Sequence, residues 1–527
     1  MKNETNTDVV MNQSGYTTRI ALTVALGGFL MGFDASVISG VNKFIQIEFN
    51  LTDLQLGFSV SSLTIVAALA MMISGPLSDK LGRKLVLKFC ALIFTISAIG
   101  SALASGFTSF LLFRMLGGLG VGASLIVAPM YIAEIAPASK RGRLVSFNQL
   151  NIVLGITIAF FTNYYILSLA DSTSSWVSTY GFVANNWRWM LGIEALPAIV
   201  YFLALFSVPN SPRWLMSKGD ESKAAAVLHK FISIEETSEE ISSIKMALSD
   251  VKGAKKTPIS ELFKPAMRLV LTIGIVVSVL QQITGINAVF FYAPMIFEQS
   301  GIGTNASFIQ AVLVGITNLL FTIIAMALID RLGRKPLLVA GVSGIVLFMA
   351  LLSYGFSSAT YTLGANQVAS LDVAVQENLA PLIDEQFTND VAFKSALQEV
   401  LGKEQAKIYE SELIKAAIHM NPTLILIGII GFVACFAVSL GPVMWVLFSE
   451  LFPLKIRGIA ISFVGFINSG ISALVQFVFP WELSSLGSAA TFMIYGIFAF
   501  IGLLCIVRLL PETKGKSLEE LEVELVK

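Results

Sequence analysis

Two motifs are each written twice in this chain, in the same order, beside apolar stretches long enough to cross a bilayer. Asp79, Gly82, Arg83 and Lys84 in SDKLGRK recur as Asp330, Gly333, Arg334 and Lys335 in IDRLGRK. Glu134, Pro137, Arg141 and Gly142 recur at identical spacing as Glu450, Pro453, Arg457 and Gly458. The first pair lies 251 residues apart (79 to 330) and the second 316 (134 to 450), so the second copy holds 65 extra residues between its motifs. The chain therefore reads as a duplicated membrane bundle. Duplicated halves of transmembrane helices, with a site at their interface near the midplane, are the sequence mark of secondary transporters.

Composition agrees with a polytopic membrane protein. Of 527 residues, 55% are hydrophobic and 13% charged, where a soluble domain carries about 25% charged residues. Lys plus Arg equals Asp plus Glu at 35 each, so net charge gives no hint of nucleic acid. Cys90, Cys435 and Cys505 sit inside apolar runs, where a thiol behaves as a small hydrophobe, and their odd number argues against a disulfide framework. The polar residues 1–16 have no basic segment followed by a cleavage site, so the first helix is expected to direct insertion.

At about 20 residues per crossing, twelve spans are predicted, near 17–40, 56–76, 85–106, 109–133, 145–168, 188–208, 266–294, 306–329, 336–356, 421–449, 458–482 and 488–510. They form an all-α protein of two pseudo-symmetric six-helix halves, 17–215 and 266–510. Lys and Arg cluster in alternate loops, while 169–187, 297–305 and 483–487 contain neither. The positive-inside rule then places the 1–16 segment and the 511–527 tail in the cytoplasm, in the cell inner membrane. Residues 216–265 are charged and Ala-rich and read as short amphipathic helices linking the halves. An outer insertion at about 357–420 holds the extra residues, with nine acidic side chains against four lysines. Its apolar spacing predicts helices, in either a small subdomain or a loose loop.

The repeated Asp-x2-Gly-Arg-Lys elements occupy short inner loops, where glycine permits a reversal and the basic residues mark topology. The fuller reading pairs Asp79, Arg83, Glu134 and Arg141, with Asp330, Arg334, Glu450 and Arg457, as charges exchanged across the inner face, a latch between two packings. Asp34, in LGGFLMGFDASVISG, is a carboxylate inside the first span, costly unless paired or reached by water. Arg114 opens the fourth span and supplies a partner, either structural or weakened by protonation. Gly117, Gly118, Gly120 and Gly122 behind it read as close helix packing.

The seventh span carries Gln281, Gln282 and Asn287 in LQQITGINAVFFYAP, interrupted by Gly285 and followed by Pro294. Amides offer donors and acceptors that suit the hydroxyls of a neutral polyol, and the breakers let the helix unwind where a ligand is touched. Gln149, Asn318 and Asn468 add neutral polar groups, and Trp445 in GPVMW offers a ring to the apolar face of a sugar. For any single amide, interhelical bonding is the plainer reading. No basic cluster within the spans points to an anionic substrate. His229 and His419 lie in polar segments with no P-loop or metal-ligand spacing, so neither an enzyme, an ATP-driven pump, a cofactor nor a metal site is expected.

In order, the motifs GFDASVISG, DKLGRK, RMLGGLGVG with PMYIAEIAPASKRG, VPNSPRWL, QQITGIN, DRLGRK, GPVMWVLFSELFPLKIRG and PETKGKSLEELE resemble the sugar porter family of the major facilitator superfamily. The likeness covers nearly the whole chain except the outer insertion and the polar N-terminus. It runs closest to bacterial xylose–proton symporters and more distantly to animal glucose facilitators. It implies that Gln149, Gln281, Gln282, Asn287, Asn318, Asn468 and Trp445 contact the sugar, that Asp34 with Arg114 couples a proton, and that the protein is a monomer. Facilitators carry asparagine at the position of Asp34, which favours symport. Ile156, Phe291, Met31 and Ser469 stand where xylose symporters have glutamine, tyrosine, phenylalanine and tryptophan, leaving xylose and glucose both open. Asn210 in VPNSPRWL replaces a family glutamate, removing a charge from the expected latch. A proton-independent facilitator is the nearest alternative, and a sugar sensor that does not transport is a further one.

Overall fold

Among the described residues of the computed structural model, twelve helices are long and apolar enough to cross a bilayer. They run Gly15–Glu48, Asp53–Leu81, Arg83–Ala102, Phe107–Ile135, Arg141–Leu169, Asn186–Ala204, Pro265–Glu298, Thr304–Ile329, Arg334–Ser357, Pro422–Leu451, Arg457–Ser485 and Ser488–Leu509. The structure describes residues 2–137, 140–170, 172, 174–253, 258–453, 456–516 and 518–525. Leu69, Met72, Ile73, Leu112, Leu196, Leu203, Leu347 and Leu504 are all more than half exposed. Large apolar side chains ringing a helix bundle are stable facing hydrocarbon rather than water.

Backbone proximity divides the chain into two compact units: 1–35, 62–156 and 191–258 form one, and 36–61, 157–190 and 259–527 the other. In the first, small residues let helices approach closely. A carbon added at Gly118 would lie 2.5 Å from the Leu63 carbonyl oxygen, and Gly122 abuts the Ala67 carbonyl. The predicted amphipathic linker is present as helices Pro212–Ser217, Glu221–Leu228 and Ile234–Gly253. Leu215, Met216, Ala224 and Ile244 form their small core.

The second unit contains a span broken in two. Helix Arg268–Ile283 stops and Ile286–Glu298 begins after Gly285, whose φ of 87° is left-handed. The breaker read from the sequence is therefore a true interruption. The tenth span breaks as well, between Pro422–Val438 and Leu440–Leu451, at Ser439 (φ −116°, ψ −93°). That break has no glycine at its own position to announce it.

The 357–420 insertion is a folded subdomain. Helices Ala365–Ala369, Val373–Leu379, Asp390–Ile408 and Glu410–Ala417 pack on Tyr361, Leu379, Phe393, Leu397 and Ile414. Alongside them lies a three-stranded antiparallel sheet, ordered β2-β1-β3, of β1 Thr360–Thr362, β2 Gln386–Phe387 and β3 Ile418–His419. Strands of two or three residues are too short to show an alternating pattern, so only the helices were legible. Asp390 accepts bonds from the Ser488 N–H and hydroxyl, both at 2.9 Å, and Lys407 donates to the Leu51 carbonyl at 2.6 Å. On the same side, Lys43 of the first span reaches Glu298 at 3.0 Å and Thr304 at 2.8 Å. Asn42 donates to the Phe291 carbonyl at 2.8 Å and Thr157 to that of Gly315 at 2.9 Å. Spans one, five, seven and eight are thereby joined at this end of the second unit.

Lys394 and Glu410 pair at 2.9 Å within the subdomain, and Gln299 of the seventh span donates to the same carboxylate at 3.3 Å. Burial pushes the Glu410 carboxyl up, but Lys394 and Gln299 hold it below the ordinary carboxylate range. Burial pushes Lys394 down, but Glu410 and then Asp390 keep it above the ordinary lysine range. A depressed acid contributes stability above its unfolded pKa and loses it as pH falls, and a raised base loses its contribution only as pH rises past the lysine range. Hydrogen-exchange protection factors across 390–417 should therefore fall as pH drops below about 4, and Glu410→Gln should abolish that acid-dependent step while costing about 1 kcal/mol of protection at neutral pH. Gly285→Ala should lower the detergent melting midpoint by several degrees, because left-handed backbone costs alanine about 1 kcal/mol or more and the methyl would lie 2.5 Å from the Tyr495 ring. Gly470→Ala, with nothing within 4 Å of the added carbon, should leave the midpoint unchanged.

Candidate functional site

The broken seventh span ends one helix on Gln281 and Gln282 and opens the next beside Asn287, which brings the three amides against Asn468 of the eleventh span. Gln281, Gln282 and Asn468 are buried and Asn287 is half-buried. Each amide has two N–H donors and one carbonyl acceptor. Asn468 Nδ2 donates to the Ser278 carbonyl at 2.9 Å and Gln281 Oε1 at 2.7 Å. Gln282 Nε2 donates to Gln281 Oε1 and Asn468 Oδ1, both at 3.1 Å. Asn287 Nδ2 donates to Gln282 Oε1 at 2.8 Å and Ser472 Oγ at 2.6 Å. Gln281 Nε2 donates to the Leu440 carbonyl at 3.2 Å, at the first residue after the tenth-span break. Nearly every amide N–H is thus taken, while Asn287 Oδ1 and the second lone pairs of Gln282 and Asn468 stay open. The open atoms of the cluster are therefore mainly acceptors, which can take hydroxyl donors.

Trp445 stands on the helix after the tenth-span break, 45% exposed, edge-on to Phe448 at 6.0 Å. Its open indole face can lie against an apolar sugar face. Asn318 is buried on the eighth span, outside the amide chain. Gln149 is exposed on the fifth span and belongs to the first unit.

Asp34 and Arg114 form an ion pair in the first unit with side chains 2% exposed, and Arg114 Nη1 also donates to the Asp34 carbonyl at 3.2 Å. Gly117 makes the room: a carbon added there would lie 2.7 Å from Asp34 Oδ2. Glu194, 2% exposed, lies within electrostatic reach of both. It was not singled out from the sequence, although a lone carboxylate within the sixth apolar run is the same signal that marked Asp34. Asp34 Oδ2, Arg114 Nε and Glu194 Oε1 are buried without a hydrogen-bond partner. The three groups make a buried charged cluster, one carboxylate paired with the guanidinium and a second within its electrostatic reach.

The duplicated motifs close on themselves. Arg83 holds Asp79 at 2.7 Å and Glu134 at 3.0 Å, and the second Glu134 oxygen accepts from Ser211. Arg334 holds Glu450 at 2.7 Å, whose other oxygen accepts from Thr513 at 2.6 Å. Arg457 donates to the Phe452 carbonyl at 3.1 Å, and Arg141 is exposed. The Asp330 side chain lies outside the described residues. Ser211 and Thr513, which complete the two carboxylate sites, were not foreseen; both follow a proline by two residues, in PNS and PET.

The profile of the Sugar (and other) transporter family matches residues 20–371 and 397–525. The arabinose-proton symporter of Bacillus subtilis is 34% identical over 98% of this chain and 97% of its own length. The D-xylose-proton symporter of Escherichia coli is 33% identical over 97% of this chain and 96% of its own. The inward-open structure of the xylose transporter XylE from E. coli superposes with a TM-score of 0.73 at 30% identity, covering 97% of this chain and 100% of that one. A multi-pass membrane protein with the twelve-span major facilitator fold, this chain belongs to the Sugar (and other) transporter family.

Proposed function

We propose that this protein carries a neutral pentose or hexose across the membrane by alternating access, together with a proton. The substrate class rests on the amide cluster, whose open atoms are mostly carbonyl oxygens. An anion would meet acceptors and be refused, whereas a sugar hydroxyl donates to them. Gln281, Gln282, Asn287 and Asn468 hold the sugar, with Trp445 against its ring and Asn318 completing the contacts. Relatives named for arabinose, xylose and glucose fit that class.

Proton coupling rests on Asp34, Arg114 and Glu194. With both carboxylates ionised the cluster bears one net negative charge away from water, and a single proton makes it neutral. A proton on Asp34 loosens Arg114, which then turns to Glu194. Asp79, Arg83, Glu134 and Arg141, and Asp330, Arg334, Glu450 and Arg457, hold the basic side until it opens. That side is cytoplasmic and carries both termini, and the protein works as a monomer with no cofactor beyond the proton.

In proteoliposomes, labelled xylose or glucose should accumulate against its gradient, by up to about tenfold per unit of inward pH gradient for one proton per sugar. Asp34→Asn should abolish accumulation while sugar counterflow persists within about threefold. Accumulation by the Asp34→Asn variant would refute the coupling role, and equilibration without accumulation by the unmodified protein would make it a facilitator.

A further inference from the structure

Ser472 and Gln476 lie one turn apart on the eleventh span, and Ser472 one turn beyond Asn468. Ser472 is 3% exposed and Gln476 fully buried. The Ser472 oxygen accepts from Asn287 Nδ2 at 2.6 Å and from Gln476 Nε2 at 2.8 Å. Gln476 is itself tied to the seventh span, because the Tyr292 hydroxyl donates to its carbonyl at 2.9 Å. Both lone pairs of the serine oxygen are therefore used, and its position is fixed from two sides.

Asn287 Nδ2 consequently sits between two acceptors, Gln282 Oε1 and Ser472 Oγ. Flipping the amide would set Oδ1 against the Gln282 carbonyl oxygen, acceptor against acceptor, whereas in the observed orientation both N–H groups are taken, by Gln282 and Ser472. One orientation survives, with Asn287 Oδ1 left for a ligand. We infer that Ser472 is a specificity-determining positioning residue: it fixes the Asn287 amide so that the sugar must offer a hydroxyl donor at that point. The inference rests on the reading that the amide cluster binds the sugar. Glutamine at 476 serves the same end one step further out, by holding the serine oxygen toward Asn287.

Replacing a hydroxyl by fluorine removes the donor and keeps the size. Full-length protein in liposomes is assayed for counterflow of labelled glucose or xylose, whichever is carried, with each monofluoro-deoxy derivative of that sugar as competitor. At one ring position the fluorinated sugar should compete about tenfold more weakly than the parent against the unmodified protein. Ser472→Ala frees an Asn287 N–H, and the penalty at that position should fall to about twofold or less while the other positions keep theirs. Ser472→Thr should restore the penalty. Ser472→Cys, similar in volume but a poor acceptor, should behave like the alanine variant and serves if that variant does not reach the membrane. Unchanged penalties in both variants, or an equal loss at every position, would overturn the inference. Asn287→Ala separates the two claims. If it leaves KM and all penalties unchanged, the sugar reading of the cluster fails; if it shifts the penalty and the Ser472 variants do not, only the role of Ser472 fails.

Discussion

A polar group placed among hydrocarbon can be satisfied only by another part of the protein or by what the protein carries. That constraint organises the amide cluster. Gln281, Gln282, Asn287 and Asn468 satisfy one another's donors, and Gln281 also reaches the Leu440 carbonyl just past the tenth-span break. The interruptions at Gly285 and Ser439 thus flank a hydrogen-bonded amide cluster. Hydroxyl donors meeting the open carbonyl oxygens there would add partners without breaking existing ones, and so without the cost of orphaned amides.

Duplication supplies a second organising rule. In each copy an arginine after glycine takes one oxygen of a glutamate while a hydroxyl two residues past a proline takes the other: Arg83, Glu134 and Ser211, then Arg334, Glu450 and Thr513. The copies differ beside that hydroxyl. Glu512 accepts from the Arg334 and Lys335 backbone N–H groups, both at 3.1 Å, capping the ninth span. Burial raises its carboxyl, but those N–H groups and that of Lys514 hold it below the ordinary range. Asn210, exposed at the matching place, offers no charge to the helix start at Arg83, so the fourth element of the site exists in one copy alone.

The sequence made the spans legible because apolar runs of bilayer length have one stable use. It made Gln281, Gln282, Asn287, Asp34 and Arg114 legible because polar groups inside such runs are expensive. What it hid has physical reasons too. Ser472 is an ordinary small residue in a helix, and only the contact with Asn287 gives it meaning. The Ser439 break lacks a glycine or proline at its own position, and the strands at 360–362, 386–387 and 418–419 are held by their partners rather than by their own pattern. Glu194 carried a readable signal, but its place beside Asp34 and Arg114 depends on tertiary packing.

The polar groups near the insertion are only partly paired. Lys43 with Glu298, Asn42 with the Phe291 carbonyl, and Lys407 with the Leu51 carbonyl link elements of the second unit. Against them, the Ser36 and Ser39 hydroxyls and the Asn42 and Asn163 side-chain carbonyls are buried in the same unit without partners. Each such group costs about 1 kcal/mol or more compared with its hydrated state. The few polar links there are therefore offset by unpartnered groups of similar worth on the first and fifth spans. A bundle balanced in this way can be tipped by modest changes in binding energy elsewhere, which is the condition alternating access requires.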